Sequence, residues 1–322
     1  MIRSINLGDN SERDIQPQEL KELNLSNIWL ELIDPSENEL LAVSDATETP
    51  INFLRLPITN GGIVDLRQEP NHLIINFLVL QDVLSTKKAY QIIMVFSKSF
   101  LVTVAKKEIN PIMNTVKERM IKTKIDPPSQ ITYYVIDEIV SNHYIQIEKL
   151  ENLTAKMEEE VVEKTTPETL KKIFKLKSNM ISFNKILWYE RGLVFNLKKC
   201  EGNCVDLKAR GLFDTTHEEL TRQVDIVETY REILSDAINV HLSAVSNKIN
   251  LSIKALTVVI FYLTIVTTLT SFPNTVATFF GIAQFGNTDI AIVTIALLLS
   301  IVLPLIWLWK KNWLTSKRLD YA

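Results

Sequence analysis

A stretch without charged residues near the carboxyl end constrains this chain more than any other feature. No Asp, Glu, Lys or Arg occurs from Ala255 to Thr288, whereas a transmembrane helix needs only about 20 apolar residues. The preceding residues, 215–254, are rich in Glu, Arg and Leu and contain neither Pro nor Gly, which is typical of a helix in water. The sequence therefore predicts one helix that begins at a Thr215–Glu218 capping box, enters a bilayer and ends near Gly281.

A heptad pattern runs through both halves of this predicted helix, which indicates that several helices wind about a shared axis. Two interpretations of its small polar residues remain open. Either a ring of identical helices lines a wet pore, with Ile253 and Ile260 as apolar constrictions, or the Ser and Thr side chains bond back to their own backbone and allow close packing. One row is Asp236, Ser243, Asn250, Thr257, Thr264, Ser271 and Thr278, and the other is Asn239, Ser246, Ile253, Ile260, Thr267 and Asn274.

The composition gives no support to an enzyme. The chain has 322 residues and a formal net charge of −3, which favours about two domains. Its first residues, MIRSINLGDNSERD, lack the apolar core of a signal peptide. The histidines are scattered, and the sequence contains no phosphate-binding loop, dinucleotide fingerprint or nucleophile elbow. Cys200 and Cys204 are spaced C-x3-C, which only weakly indicates a disulfide or a metal site.

Residues 1–130 are predicted to form an α/β domain. A strand signal, SNIWLEL, precedes a helix for which Asp34 is the candidate cap and Pro35 the first residue. Asn60-Gly61-Gly62 marks a turn. The runs NHLIINFLVL, AYQIIMVFS and SFLVTVA predict adjacent strands, and INPIMNTVKERMIKTK predicts a helix.

Residues 131–214 change to long amphipathic helices, with apolar residues three and four positions apart. Thr166 and Pro167 predict the cap and first turn of the second of these helices. The acidic run from Met157 to Glu163 fits a solvated helix face better than a cation site.

The end of the chain predicts a second membrane span. A short segment, IAQFGNTD, leads into IAIVTIALLLSIVLPLIWLW, and Lys310, Lys311, Lys317 and Arg318 follow. Because the connecting loop carries no Lys or Arg, the positive-inside rule places both termini in the cytoplasm of a multi-pass cell-membrane protein. The predicted boundaries are 215–254 for the stalk helix, 255–281 for a pore-lining span, 282–288 for an external loop, 289–309 for the second span and 310–322 for a basic cytoplasmic tail.

Several of these segments resemble the CorA-type magnesium transporters. The similar stretches are YREILSDAINVHLSAVSNKINLSIKALT, IWLELIDPSENEL, SFLVTVAKKE and the KKNWL ending. The resemblance implies an α/β cytoplasmic domain followed by long helices, with a stalk helix continuous with the first of two transmembrane helices. It also implies a homopentamer in a lipid bilayer, with the first spans lining the pore and the cytosolic domains sensing divalent cations.

The triplet that closes the first span departs from the family pattern. Gly281-Ile282-Ala283 stands where the family has Gly-Met-Asn, whose asparagine holds the hydrated cation at the pore mouth. The alanine side chain offers no acceptor, and Gln284 or Asn287 is the nearest amide in the sequence.

The resemblance also implies sensing and gating residues. Asn239 stands where the family has an acidic residue at its sensing interface, and Asp236, one turn earlier, is the nearest carboxylate. Asp82, after a predicted strand, is a further candidate, although an aspartate there is more typical of a turn. Asn250 falls on the family's pore asparagine. Ile253 and Leu256 fall on its hydrophobic gate, whereas the heptad places Ile260 rather than Leu256 on the axis.

The sequence thus predicts passive transport of a divalent cation, magnesium before cobalt, nickel or zinc. The alternative is a non-conducting relative that serves as a sensor or partner subunit. The transported and regulatory ion is the one small ligand expected, with no organic substrate, nucleic acid or other cofactor. The candidate pore-lining residues are Asn250, Ile253, Leu256, Thr257, Ile260, Thr264, Thr267, Ser271, Asn274 and Thr278.

Overall fold

The computed structural model describes residues 2–59, 64–84, 89–123, 127–163, 166–200 and 204–282, and seven single residues beyond them (291, 294, 295, 298, 299, 302 and 306). The chain divides into two compact units, one up to Ser243 and one from Ala244 onward. The predicted turn at 60–62, the residues 283–288 of the predicted external loop and the basic tail lie outside the described residues, as does most of the second predicted span.

The first unit contains a seven-stranded mixed sheet in the order β2-β1-β3-β7-β6-β5-β4. The parallel pair joins β3 to β7, and the other neighbouring strands are antiparallel. The strand prediction from the three apolar runs is confirmed, because β5, β6 and β7 are consecutive neighbours. The strands are β1 (Ile2–Asn6), β2 (Glu12–Ile15), β3 (Ile28–Ile33), β4 (Asp65–Gln68), β5 (Leu73–Leu80), β6 (Ala89–Phe96) and β7 (Phe100–Ala105).

Both faces of the central strands are covered, which explains why these strands are continuous apolar runs rather than alternating ones. Successive side chains of a strand point to opposite faces. Trp29 accordingly belongs to the larger apolar core, which includes the long helices, while Leu30 belongs to a second core with Leu40 and Val43 of the first helix. The first helix therefore packs on one face of the sheet, and the long helices share the larger core with the other face.

The first helix starts later than predicted. Asp34 is not its cap: the residue has a positive φ of 44°, which Asp tolerates better than most residues. Because an N-cap residue normally has an extended backbone, the cap falls on Ser36, with φ −76° and ψ 162°, rather than on the left-handed Asp34. The Ser36 hydroxyl accepts from the Glu39 amide at 3.4 Å, and the Glu39 carboxylate accepts from the Ser36 amide at 2.7 Å, which completes a capping box.

The remaining helices include two long helices of 36 and 33 residues. The prediction that Thr166 caps a helix beginning at Pro167 is confirmed, since its side chain accepts from the Thr169 amide at 3.3 Å. The helices are α1 (Glu37–Thr47), α2 (Ile51–Leu54), α3 (Leu56–Thr59), α4 (Asn110–Thr123), α5 (Pro128–Glu163), α6 (Pro167–Lys199) and α7 (Leu207–Ile282).

Helix α7 confirms the single helix that runs from the polar half into the apolar half, but the predicted start at Thr215 is wrong. The helix begins at Leu207, and the Asp206 carboxylate accepts from the Ala209 amide at 2.5 Å. The predicted start lies after Gly211, but this glycine lies inside the helix with open space around its Cα. Helical propensity is a weak preference that tertiary packing overrides.

Candidate pore face on helix α7

The carboxyl-terminal half of α7 is apolar and exposed in the single chain. Within the described ranges, α7 is the helix that is long and apolar enough to cross a membrane, and none of its most apolar window is buried. A helix that is apolar around its circumference needs lipid or other helices to cover it. The second predicted span contributes only isolated described positions, among them Ile295 and Leu298, which are helical and exposed.

The two polar rows lie along one side of this exposed half. Seven residues of an ideal helix turn nearly twice around, and the row drifts by only ~20° per heptad. Thr257 and Thr278 are 21 positions apart, which corresponds to roughly 31 Å along the axis at 1.5 Å per residue, about the thickness of the hydrocarbon core. Every described side chain of these rows from Asn250 onward is exposed.

The threonine hydroxyls of the rows donate back to the carbonyl four residues earlier. Thr257 donates to the Ile253 carbonyl at 2.8 Å, Thr264 to Ile260 at 2.8 Å, Thr267 to Leu263 at 2.7 Å and Thr278 to Asn274 at 2.8 Å. Threonines off the rows do the same, as Thr270 shows with a 3.0 Å bond to the Val266 carbonyl. Back-bonding therefore satisfies these protons everywhere on the helix and does not by itself distinguish the two interpretations of the rows.

The rows are distinguished by the hydrogen-bond acceptors that their hydroxyl oxygens still offer after donating to the backbone. A hydroxyl that has donated its proton to the backbone still has lone pairs on its oxygen, and in the rows those oxygens recur on one side. Asn250 and Asn274 add amide groups to the same side, and both are exposed. The rows thus present oxygen acceptors at regular intervals, interrupted by the exposed side chains of Ile253 and Ile260.

The second gate candidate, Leu256, lies at the margin of this side, about 40° around the helix from Ile260 of the second row. It precedes Thr257 by one residue and is therefore about 100° around the helix from the Thr257 row. Its side chain is exposed, as are those of Ile253 and Ile260. In the single chain, the structure places Ile253 and Ile260 on the polar side and leaves Leu256 beside it.

The pore-mouth residues are only partly described. The backbone of α7 remains helical through Gly281 and Ile282. Ala283 and Gln284 lie outside the described residues, so the geometry of the mouth stays a prediction from the sequence.

The candidate sensing residues do not form a metal site in the single chain. Asp236 and Asn239 are exposed and lie three residues apart on α7. Asp82 lies after β5, and its carboxylate accepts from the Leu84 amide at 3.1 Å, as in an Asx turn. Across the described residues, no three His, Cys, Asp or Glu side chains come together in a way that would hold a metal ion.

The structure also shows a buried polar group that the sequence interpretation missed. His143 of α5 and Glu190 of α6 are completely enclosed, with 1 % and 0 % of their side chains exposed, and the His143 Nε2 and Glu190 Oε2 atoms are 3.6 Å apart. Gln223 of α7 lies on the other side of the imidazole, with its Oε1 3.3 Å from His143 Nδ1. Three helices, one of them the helix with the polar rows, meet at this group.

The hydrogen bonds assign the protons of this group. Gln223 Nε2 donates to the Val140 carbonyl at 2.9 Å, so its Oε1 faces the imidazole as an acceptor, and His143 Nδ1 must be the donor. A neutral His143 then turns the lone pair of Nε2 toward Glu190. Burial lowers the pKa of His143 to about 4, with the Gln223 bond opposing, and burial raises the pKa of Glu190 well above its usual value. Burial therefore favours the neutral form of both groups.

A mixed α/β domain continued by a helix with an exposed apolar half defines the class as a helical membrane protein with a folded extramembrane domain. Residues 24–311 match the family model described as CorA-like Mg2+ transporter protein, and the chain belongs to that family.

Relatives and solved structures agree with this assignment. The cobalt/magnesium transport protein CorA of Thermotoga maritima is 30% identical over 129 residues, which are 40% of this chain and 37% of that protein. The protein of the same name from Methanocaldococcus jannaschii is 22% identical over 241 residues, 72% of this chain and 74% of that protein. The complete structure of the CorA magnesium transporter from Methanocaldococcus jannaschii superposes with a TM-score of 0.70 at 18% identity, covering 97% of this chain and 98% of that one.

Proposed function

We propose that this protein conducts divalent cations, magnesium foremost and cobalt, nickel or zinc as further candidates, through an axial pore formed by several copies of α7. The observation that carries the proposal is the exposed side of α7 on which oxygen acceptors recur through the thickness of a membrane. Family membership and the names of the relatives support a divalent cation as the cargo.

The chemistry of the polar rows suits a hydrated cation. Magnesium prefers oxygen ligands and gives up its water reluctantly. Oxygens whose own protons are bonded to the backbone accept hydrogen bonds from that water without competing as donors, and neutral acceptors bind a divalent ion weakly enough to release it. Ile253 and Ile260 would narrow and dewet the pore between these rings. Leu256 remains a second gate candidate, and a rotation of α7 by about 40° would bring it to the angular position of Ile260.

The proposed assembly is a homopentamer in the cell membrane. The exposed apolar half of α7 requires covering, and a polar row in a membrane requires a partner or water. Copies of the same helix around an axis meet both needs, with the second span, 289–309, facing lipid. The topology proposed places both termini in the cytoplasm, the 282–288 loop outside and the 310–322 tail inside.

The driving force needs no chemical fuel. At about 2.3 kcal/mol per unit charge per 100 mV, an inside-negative potential of 100 mV favours entry of a divalent cation by about 4.6 kcal/mol. Regulation is proposed to come from cations bound between copies at Asp236 and Asn239, with Asp82 as a further candidate. A site between copies is consistent with the absence of a three-ligand cluster among the described residues of one chain.

Ion uptake into proteoliposomes tests the polar rows. Thr264→Val removes a hydroxyl from a row while keeping the shape of the side chain, and Tyr262→Phe removes a hydroxyl from an exposed side chain about 160° around the helix from Thr264. We expect magnesium uptake to fall with Thr264→Val and with Asn250→Ala, and to remain unchanged with Tyr262→Phe. Equal effects of Thr264→Val and Tyr262→Phe would contradict a pore lined by these rows.

The pore mouth supplies the test of the alternative function. Ala283 lacks the amide that the family motif provides, and this favours a non-conducting sensor or partner subunit as the second candidate. Magnesium uptake by the wild type would show that Gln284 or the rows suffice. No uptake by the wild type, with flux restored by Ala283→Asn, would support the non-conducting alternative.

A further inference from the structure

The two cysteines of the chain are placed on either side of the connection between α6 and α7. Cys200 follows the last residue of α6, and its amide donates to the Leu197 carbonyl at 3.2 Å. Cys204 lies two residues before Asp206, which caps α7. Both thiols are free and half-buried. Since the sequence contains no other cysteine, each has one possible partner within the chain.

Both sulfur atoms contact the same turn of the sheet. Cys200 Sγ lies 3.7 Å from Oε1 of Gln68, and Cys204 Sγ lies 3.8 Å from the carbonyl oxygen of Asn71. Gln68 ends β4 and Asn71 precedes β5, and the tight turn between these strands is closed by a 3.0 Å bond from the Glu69 amide to the His72 carbonyl. Two acceptors three residues apart in one turn thus hold the two thiols.

The two thiols also share one cavity and one electrostatic environment. A cavity of about 400 Å³ is lined by both cysteines, by the turn and by Lys98. Burial raises the pKa of both thiols, and Cys200 raises the pKa of Cys204 further, while Lys98 opposes that rise and Arg210 opposes the rise at Cys200. The two thiols therefore line one cavity and influence each other, and burial outweighs the nearby cations, so that the protonated form of both thiols is favoured.

We propose that Cys200 and Cys204 form a redox-active dithiol, which a small-molecule disulfide oxidises to an intramolecular disulfide across the α6–α7 connection. This inference does not depend on the transport function.

The chemistry balances as two exchange steps. The thiolate of one cysteine attacks a sulfur of the small disulfide, and one small thiol leaves with a proton. The thiolate of the second cysteine then attacks the protein sulfur of this mixed disulfide, and the second small thiol leaves with the other proton. One protein S–S bond replaces two S–H bonds, and the oxidant is reduced to two thiols.

Oxidation of the two cysteines would change contacts at the sheet as well as at the α6–α7 connection. A thiol donates weakly through its S–H group, but a disulfide sulfur has no proton to donate. The bridge therefore takes the donor away from both Gln68 and Asn71, and the turn between β4 and β5 loses its two contacts with the cysteines. Oxidation would thus tie Cys200 to Cys204 and release the turn between β4 and β5.

The test is thiol–disulfide exchange on the purified full-length protein in detergent, with oxidised glutathione as the probe. Intact mass spectrometry of the wild type should show a loss of about 2 Da and no stable glutathione adduct, since the second cysteine expels the first one's adduct. Cys200→Ser and Cys204→Ser should each retain one adduct. Dithiothreitol should restore the wild-type mass.

A dithiol-specific reagent provides an independent measurement. Phenylarsine oxide should label the wild type with one molecule per chain and resist removal by a monothiol, whereas each single serine variant should release it. Matching far-UV circular dichroism and gel-filtration profiles exclude misfolding of the variants. Two stable glutathione adducts on the wild type, or a disulfide formed between chains instead of within one, would refute the proposal.

Discussion

Replacing Glu190 by glutamine should change how the stability of the protein depends on pH. The carboxyl group is fully buried beside His143, and burial favours its neutral form, so glutamine keeps the shape of the side chain without its ability to ionise. The variant therefore loses a titrating group while the packing stays the same. We expect Glu190→Gln to be more stable than the wild type at neutral pH and increasingly so as the pH rises.

The magnitude follows from the protons bound in each state. Above the ordinary glutamate value of 4.5 and up to the raised pKa of Glu190, the folded wild type holds a proton that the unfolded chain has released, so its stability falls by about 1.4 kcal/mol per pH unit as the pH rises. For His143, the pKa falls from 6.5 to about 4 on folding. Between those values the unfolded chain holds the extra proton, so this contribution makes stability rise with pH.

In the wild type the two slopes cancel between about pH 4.5 and 6.5, and only the Glu190 slope remains above 6.5. In Glu190→Gln, only the His143 contribution to the pH dependence of stability remains below pH 6.5. The stability advantage of the variant should thus grow by about 1.4 kcal/mol for each pH unit from pH 5.5 up to the raised pKa of Glu190, which sets a ceiling of about 2.7 kcal/mol at pH 7.5. All other titratable groups are common to both proteins and cancel in the difference.

The assay is urea unfolding of the detergent-solubilised protein, followed by circular dichroism at pH 5.5, 6.5 and 7.5. Glu148→Gln is the matched control, because Glu148 is exposed on α5 and its replacement makes the same change in charge. A constant difference in stability between Glu190→Gln and the wild type across this range would refute the assignment of a protonated Glu190.

Three further predictions concern other parts of the chain. Gly211→Ala should raise the free energy of unfolding by about 0.5–1 kcal/mol, since a Cβ there meets nothing within 4 Å and alanine favours the helix; a loss of stability on urea unfolding would contradict this. Lys117→Met should cost about 3 kcal/mol, the lower end for a broken buried pair, because the Glu31 carboxylate loses the ammonium at 2.5 Å and keeps only the Arg3 guanidinium at 3.9 Å. The double variant Lys117→Met/Glu31→Gln should recover much of that loss, and an equal loss in both would argue against a buried ion pair. Asp236→Ala should weaken the protection that magnesium gives against limited proteolysis, and unchanged protection would remove Asp236 from the sensing site.

Much of the fold could be predicted because local signals and burial agree there. The apolar runs of β5, β6 and β7 are each bounded by turn residues, and Thr166 with Pro167 defines a helix start. The predicted first residues of α1 and α7 were wrong for local reasons. At α1 the left-handed backbone of Asp34 leaves the cap to Ser36, and at α7 the helix includes the exposed Gly211, which precedes the predicted start. The partner of β3 could not be predicted, because no local signal specifies a pairing with a strand that follows so much later.

The burial of Glu190 could have been predicted from the sequence. Glu190 continues a series of buried positions on α6, which includes Met180, Phe183 and Leu187, and a charged residue at such a position has to be neutral or paired. The pore mouth is different, since its geometry depends on residues beyond the described part of α7. The polar rows could be found from spacing alone, but the hydroxyl bonds to the backbone needed coordinates.

Because β3 pairs in parallel with β7, β3 is synthesised well before its partner strand. Ile28 pairs with Phe100, 72 positions later, and at 5–20 residues per second the partner strand follows after roughly 4 to 14 s. During that interval the apolar residues of β3, including Trp29, have no parallel neighbour, and β1 can pair with β3 only as an exposed ribbon. Ribosome-bound chains that end shortly before β7 should therefore be cleaved by protease within residues 2–54, and chains in which β7 has emerged should resist. The amino-terminal part of the sheet is made first and becomes stable only after the later hairpins have emerged.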